Sequence, residues 1–285
     1  MREIRSILFF LLCSLLISCN TGKQKENRIM VTIEPQRYFA EQLAAPLFSI
    51  ETLVPGGNSP ETYDPTPDQM IKLSHCKAYF AVGELGFEKV WMKRIQDNFP
   101  DLHFFRTDGN IDPIRSEIDH GDHKHEGVDP HIWSSPKEAG VMIQNMYEAL
   151  VLLDPDNKET YTANLQKLQD RISSVDEEVR KYLADSQGKS FIIYHPALSY
   201  FARDYGLNQY CIETDGKEPS PRQLKDLIRI VQEAQIRTIF VQEEFDRKNA
   251  ETIAGETGCR LVVINPLSYD WTNETLKIAK ALADE

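Results

Sequence analysis

The 285-residue chain lacks a run of apolar residues long enough to cross a membrane. A spanning helix needs about 20 such residues, and the most apolar stretch covers only residues 7–17. The chain also lacks an excess of positive charge, because 32 lysines and arginines face 44 aspartates and glutamates, for a net charge of −12. Such an acidic surface repels nucleic acid and anionic membranes. We therefore expect no transmembrane helix and no nucleic-acid partner.

Cysteine is scarce as well. Two of the five cysteines lie in the amino-terminal segment, which leaves Cys76, Cys211 and Cys259. An odd number of cysteines cannot all pair, and their wide spacing matches neither a zinc ribbon nor a disulfide framework. The chain has no His-Glu-x-x-His element, which marks many zinc hydrolases. It also has no repeat of about 20–50 residues, which argues against a solenoid.

The amino terminus is typical of an exported bacterial chain. Two arginines precede the apolar run at residues 7–17, and Ser18-Cys19 follows it. This order resembles a lipoprotein signal and predicts a signal peptide over residues 1–18, a lipid such as palmitate on Cys19, and a polar tether over residues 19–27. The alternatives are an ordinary signal peptide and a buried amino-terminal helix. The lipoprotein reading predicts a location in the cell envelope, on the periplasmic or extracytoplasmic face.

Short apolar segments alternate with helical patterns in both halves of the chain. This alternation is typical of parallel sheets flanked by helices. We expect an α/β fold with two such lobes, residues 28–153 and residues 187–285. The predicted strands lie near residues 29–33, 49–54, 78–82 and 102–105 in the first lobe, and near residues 191–194, 208–212, 238–241 and 261–264 in the second.

A long helical stretch separates the two predicted lobes. Residues 154–184 contain no glycine, and Pro155 stands where a helix can begin. At 1.5 Å per residue, a helix of this size would span about 40 Å, which is longer than one lobe needs. We predict one long rigid connecting helix over residues 154–186. A helical hairpin packed on one lobe is the alternative.

Histidine is concentrated in one short segment. Imidazole is the commonest protein ligand for zinc and its neighbours. Within this segment, His120, His123 and His125 lie in a polar stretch that predicts a His-rich loop over residues 119–128. This loop either contacts metal or is simply solvated. The last histidine of the segment precedes Ile132-Trp133 and belongs to ordered chain. Four of the seven histidines are in this segment: His120, His123, His125 and His131.

His195 is a further candidate ligand from the second half. It directly follows the predicted strand at residues 191–194 and precedes Pro196. A parallel strand delivers such a side chain to the functional edge of its sheet. Because His131 belongs to the first half, a metal bound by both histidines would join the lobes. The alternative for each is a structural histidine whose ring is satisfied by hydrogen bonds within the fold.

Five motifs occur along the chain in a characteristic order: residues 55–67 (PGGNSPETYDPTP), 129–133 (DPHIW), 194–201 (YHPALSYF), 217–221 (KEPSP) and 265–267 (NPL). In this order they resemble the metal-binding solute receptors of bacterial zinc and manganese ABC importers, and the zinc branch in particular. The resemblance implies two lobes joined by a long helix, with the ion between them. It also implies a monomeric receptor that delivers zinc to an ABC permease and its ATPase.

The resemblance assigns the family's second and third histidine ligands to His131 and His195. Where the family has its first histidine, this chain has Glu61, whose carboxylate can bind zinc but discriminates less against Mn²⁺ and Fe²⁺. Asn265 stands where members often carry an aspartate. The implied ligand set is therefore Glu61, His131 and His195, with water, Asn265 or Asp270 in a fourth place. The resemblance also implies that the His-rich segment is a mobile collector, which raises the metal concentration near the site. Its histidines are His120, His123 and His125.

An incomplete ligand shell suits a receptor that must release its ion, and we expect no catalysis. The alternative from another class is a zinc-dependent envelope hydrolase with an open water position and Glu243 or Glu244 as general base. The same receptor role for manganese or iron is a further alternative. Because imidazole binds metal only when neutral, affinity is expected to fall as the pH drops through about 6.5.

Overall fold

The computed structural model describes residues 26–119, 124–213 and 216–283, with the description of residues 116–126 confined to the backbone. Cys19, the predicted lipidation site, lies outside these ranges, as do His120 and His123. No helix within the described ranges combines the length and the apolar character that a bilayer crossing requires. Cys76, Cys211 and Cys259 form no disulfide with one another.

The first lobe is built on a parallel sheet of four strands in the order β2-β1-β3-β4. The strands are β1 (Arg28–Val31), β2 (Ser49–Thr52), β3 (Ala78–Ala81) and β4 (His103–Arg106). They alternate with three helices, α1 (Glu34–Ala44), α2 (Pro67–Ser74) and α3 (Gly86–Asn98). Helix α2 starts where the sequence predicts, because the Thr66 hydroxyl accepts a hydrogen bond from the backbone N–H of Gln69.

The His-rich segment includes an antiparallel ribbon of two strands, β5 (Arg115–Asp119) and β6 (Lys124–Val128). This differs from the predicted loop over residues 119–128. Pairing between the strands satisfies backbone groups that an open loop would leave to water. His125 lies on β6 opposite Ile118 of β5.

The second lobe repeats the plan, with a parallel sheet in the order β10-β9-β7-β8. The strands are β7 (Ser190–Ile193), β8 (Asn208–Cys211), β9 (Thr238–Gln242) and β10 (Arg260–Ile264). Helices α6 (Ser199–Tyr205), α7 (Pro221–Glu233) and α8 (Lys248–Thr257) connect them. Gly206 and Gly258 end α6 and α8 with φ of 68° and 74°, a left-handed conformation that glycine adopts without steric cost.

The lobes are connected by α4 (Pro136–Leu153) and α5 (Lys158–Tyr182), with a 3-10 turn at Pro155–Asn157 between them. The predicted long connecting helix is confirmed, and the 25 residues of α5 span about 38 Å. One stripe of α5 is buried against α1, α4 and the last helix, α9 (Trp271–Ala283). The stripe consists of Tyr161, Leu165, Leu168, Ile172, Val175 and Val179.

Helix α9 follows the second lobe in sequence but packs back across the molecule. Its Trp271 ring contacts Phe39 of α1 at a centroid distance of 5.1 Å. The hydroxyls of Thr272 and Tyr38 are 3.2 Å apart. The predicted second lobe, residues 187–285, therefore includes a helix that fastens α5 to the first lobe.

A single apolar cluster runs through both lobes. It joins the inner faces of the two sheets to α1, α4, α5 and α9, and smaller clusters fill the outer faces. Phe80 of the first sheet and Phe191 of the second both belong to it, as does Trp133 between the lobes. Because protein cores are close-packed, this continuity opposes large separation of the lobes.

Candidate metal centre

Three side chains from distant parts of the chain meet between the lobes. Glu61, His131 and His195 each offer one ligand atom, and these atoms lie within 4.8 Å of one another. Glu61 lies in the loop after β2, His131 between β6 and a 3-10 turn at Ile132–Ser134, and His195 just after β7. The structure thus brings together the three residues that the sequence predicts as ligands.

The His131 ring is held from behind by Asp129. One carboxylate oxygen of Asp129 accepts hydrogen bonds from the backbone N–H and from Nδ1 of His131, at 2.9 and 2.8 Å. The Tyr200 hydroxyl donates to the Asp129 carbonyl at 2.9 Å, and Trp133 packs against the ring. Because a carboxylate can only accept, Nδ1 carries the ring proton and Nε2 keeps a free lone pair.

His195 is oriented in the same manner by different residues. Its Nδ1 donates to Glu213 at 2.6 Å, and the Phe245 ring stacks on it at 5.5 Å and 18°. Gln242 of β9 accepts from the backbone N–H of His195 at 3.3 Å and donates to its carbonyl at 2.7 Å. Nε2 of His195 is therefore also the basic nitrogen.

The two basic nitrogens face one another. His131 Nε2 and His195 Nε2 are 3.1 Å apart. Two nitrogens that bind one tetrahedral zinc ion at about 2.0–2.1 Å lie roughly 3.3–3.4 Å apart, so this spacing is close to that of a shared ion. Two converging lone pairs repel each other, and a bound cation satisfies both. Carboxylate–imidazole pairs of this kind commonly orient the histidines of metal sites.

Glu61 completes the group from the first lobe. Its Oε2 accepts from the backbone N–H of Gly86 at 3.0 Å. Its Oε1 is buried and has no hydrogen-bond partner in the part of the chain that the structure describes. A Cβ at Gly86 would lie 2.5 Å from the Glu61 carbonyl oxygen and 2.6 Å from Oε2, so only glycine allows this approach.

The turn that carries Gly86 is anchored by Glu88 of α3. The Glu88 carboxylate accepts hydrogen bonds from the backbone N–H groups of Val82 and Gly83 at 2.8 and 2.6 Å, and from the Thr32 hydroxyl at 2.5 Å. Burial raises the pKa of Glu88 to about 7, although these hydrogen bonds act in the opposite direction. The backbone donor for Glu61 therefore belongs to a well-fixed turn.

Charge coupling strengthens the Asp129–His131 pair. Burial by itself lowers the pKa of His131, but the charge and hydrogen bond of Asp129 outweigh it, so the pKa is raised. For Asp129, burial acts to raise the pKa, and the His131 interaction outweighs it in the other direction. In the metal-free protein, a proton therefore competes with metal for His131 at a higher pH than for a free histidine.

Comparison with known proteins identifies the family of this chain. A family model described as the periplasmic zinc-uptake complex component A, ZnuA, matches residues 29–281. The chain belongs to this family. It is therefore a metal-binding solute receptor of the zinc branch, as its motifs predicted, in a family of periplasmic transport components.

Two relatives and one solved structure illustrate the match. The zinc-binding lipoprotein AdcA of Streptococcus pneumoniae R6 is 29% identical over 277 residues, which cover 92% of this chain and 55% of AdcA. The chain thus spans about half the length of that relative. The high-affinity zinc uptake system protein ZnuA of Bacillus subtilis is 28% identical over 257 residues, covering 86% of this chain and 80% of ZnuA. A crystal structure of a ZnuA aligns with a TM-score of 0.83 and 34% identity over 90% of this chain and 98% of that one.

The two residues suggested from sequence for a fourth metal position are engaged elsewhere. Nδ2 of Asn265 donates to Glu243 at 3.1 Å, and its Oδ1 accepts from the backbone N–H of Leu267 at 3.1 Å. The Asp270 carboxylate accepts from Asn273 at 2.7 Å where α9 begins. Neither residue lines the small cavity beside the two histidines, whereas Glu244 does.

Asp129 and Glu213 are the functional residues that the sequence argument missed. Both had a detectable signal. Asp129 stands two residues before His131 in the same motif, and Glu213 closely follows β8, the neighbour of the strand that ends at His195. Side chains that follow adjacent parallel strands meet at one edge of the sheet. An acidic residue at either place is a natural partner for a metal-binding imidazole.

Proposed function

We propose that this chain captures Zn²⁺ with Glu61, His131 and His195 and delivers it to an ABC permease and its ATPase for uptake. The observation that carries the proposal is the convergence of two Nε2 atoms at 3.1 Å, each on a ring whose Nδ1 is held by a carboxylate. The relatives named for zinc binding and zinc uptake support the choice of metal.

The size of the cavity supports a receptor over a hydrolase. The space beside the two imidazoles has room for little more than one water-sized particle. A hydrolase would also need room for an organic substrate next to the metal-bound water. Of its two suggested bases, Glu244 lines the cavity while Glu243 hydrogen-bonds Asn265. An ion fits this space, and a substrate does not.

The test is calorimetric titration of the metal-free mature chain with Zn²⁺, Mn²⁺ and Fe²⁺. We expect one tight zinc site that is lost in His131→Ala and in His195→Ala. His103→Ala is the matched control, because His103 is an exposed histidine on β4 of the first lobe. Full affinity in both site variants would refute the assigned site.

The amino-terminal signal and the family support a proposal about attachment and delivery. We propose that the mature chain is a monomer held at the extracytoplasmic face by a lipid on Cys19, with the polar residues 20–27 as the tether. Cys19→Ser is expected to release the chain into the soluble envelope fraction without changing its zinc affinity. Cells that carry His131→Ala should grow as poorly in zinc-depleted medium as cells without the chain, and normal growth would contradict delivery by this site.

A further inference from the structure

We propose that Glu244 is a fourth ligand, so that the bound ion is held by two imidazoles and two carboxylates. This inference rests on the proposed function, since it concerns the same site. Glu244 lines the same cavity as Glu61, His131 and His195. Its carboxylate lies outside the tight three-residue group, so the proposal requires the side chain to turn toward the ion.

The fold places Glu244 beside the imidazole pair. It follows β9 by two residues, and β9 pairs in parallel with β7, the strand that leads to His195. The next residue, Phe245, stacks on the His195 ring, and Gln242 holds the His195 backbone. The backbone of Glu244 is therefore fixed next to the site, and only its flexible side chain has to move.

Elimination within the cavity supports the same residue. Besides the three grouped ligands, the side chains lining it are mostly apolar, and Ser59 already accepts a hydrogen bond from the backbone N–H of Glu61 at 3.3 Å. The Trp133 indole donates to the Pro266 carbonyl at 2.8 Å. Among the described residues that line the cavity, Glu244 is thus the one further side chain that can offer an anionic oxygen to a cation. A water in the fourth place would find few partners among the remaining lining residues, which are Pro60, Ala197, Phe245, Pro266 and Leu267.

Charge favours the same side chain. A divalent cation between the two rings would attract the Glu244 carboxylate far more strongly than a neutral imidazole does.

A second carboxylate changes which ions the site accepts. Imidazole nitrogen suits zinc, whereas carboxylate oxygen suits manganese and other hard cations. Two nitrogen and two oxygen donors therefore accept Mn²⁺ as well as Zn²⁺, and Glu244 should matter more for Mn²⁺. The substrate class is a divalent transition-metal cation, with less preference for zinc than an all-imidazole site would show.

The experiment compares Glu244→Gln with Glu243→Gln in the full mature chain. Glu243 is the matched control, because it is the adjacent acid, is exposed and does not line the cavity. Chelator competition with Zn²⁺ and Mn²⁺ gives the affinities, and the visible spectrum of bound Co²⁺ reports ligand number and type. We expect Glu244→Gln to weaken Zn²⁺ binding by at least about 10-fold, because losing a direct ligand should cost no less than losing a residue that only orients one. Mn²⁺ binding should weaken more, and the Co²⁺ bands should change.

The possible outcomes separate the two proposals. Unchanged affinities and Co²⁺ bands in Glu244→Gln, together with lost binding in His131→Ala, would overturn the role of Glu244 and leave the receptor site in place. Equal losses of metal affinity in Glu244→Gln and Glu243→Gln would also overturn it. The effect would then come from removing a negative charge near the site and not from loss of a ligand. Retained binding in His131→Ala would overturn the proposed function itself.

Discussion

The imidazole pair and the carboxylate of the candidate site are held in different ways. His131 and His195 are each fixed by a carboxylate on Nδ1 and by an aromatic neighbour. Glu61 is held by one backbone N–H, and its loop from residue 55 to residue 66 is largely exposed. From this contrast we expect the imidazoles to define where an ion sits, and the carboxylate to adjust as the ion enters and leaves.

The surroundings of the ligands make the same contrast. His131 precedes Ile132 and Trp133, and His195 follows Phe191, all of which belong to the central cluster shared by both lobes. Moving either imidazole would therefore disturb the core. We expect exchange of the ion to proceed through motion of Glu61 and its loop, with little separation of the lobes.

Among variants that keep every proposed ligand, the largest effect is expected when an imidazole loses its carboxylate partner. In Asp129→Asn or Glu213→Gln, the new amide can donate a hydrogen bond to Nδ1, which favours the tautomer with its proton on Nε2. Zinc affinity should fall by about 10- to 100-fold. Chelator competition at neutral pH measures the change, with the exposed Glu218→Gln as control. Unaltered zinc affinity in both variants would contradict the proposal that Asp129 and Glu213 orient the two imidazoles for binding.

Lowering the pH should also weaken zinc binding through the imidazole pair. The pKa of His131 is raised above its ordinary value of 6.5, so this ring gains its proton while the pH is still above that value. A protonated imidazole cannot bind metal, so affinity is retained at high pH and falls by about tenfold for each pH unit below the pKa. A zinc titration series over about pH 8 to 5 covers the range. Loss that begins only below 6.5 would contradict the raised pKa, and Asp129→Asn should move the onset to lower pH.

A smaller effect is expected on the carboxylate side. In Gly86→Ala, the added methyl group meets the Glu61 carbonyl oxygen and Oε2, so the loop must shift. We expect zinc affinity to fall by roughly 3- to 10-fold, because overpacking that costs about 1–3 kcal/mol is partly relieved by an exposed loop. Gly140→Ala is the matched control, since a Cβ there meets no atom within 4 Å. A loss as large as that in Asp129→Asn would show that Glu61 is held as firmly as the imidazoles.

The smallest effect should come from the collector histidines. Replacing His120, His123 and His125 together by alanine should leave the affinity of the tight site unchanged, while weak additional zinc equivalents disappear. Equilibrium dialysis over a range of zinc concentrations counts both classes of site. If the tight site were lost instead, the division between the collector and the interlobe ligands would be wrong.

Much of the fold could be predicted from local patterns. Apolar segments alternating with helical ones indicate parallel sheets, and the glycine-free stretch after Pro155 indicates the connecting helix; the structure confirms both. The packing of α9 across the first lobe could not be predicted. The apolar face of an amphipathic helix shows that the helix is packed, but not which element it packs against. The contact of Trp271 with Phe39 depends on the whole assembled core.

The candidate site shows a similar division. His131 and His195 could be predicted because histidine is uncommon and both stand in distinctive motifs. The partners of their Nδ1 atoms were missed because aspartate and glutamate are abundant and most are solvated, although the positions of Asp129 and Glu213 carried a signal. The fourth position stays a prediction. Asn265 and Asp270 were suggested by sequence, whereas the cavity is lined by Glu244.

The α/β class, the two-lobe plan with its long helix and the candidate ligands His131 and His195 followed from the sequence, because periodicity and uncommon residue types are local properties. Glu61 followed from the resemblance to the family. Only the tertiary structure decided that Asp129 and Glu213 direct both Nε2 atoms to one point, that Gly86 leaves room for Glu61, and that Glu244 faces the cavity. These facts depend on distances between residues far apart in sequence, which are set by the packing of two sheets around one shared core.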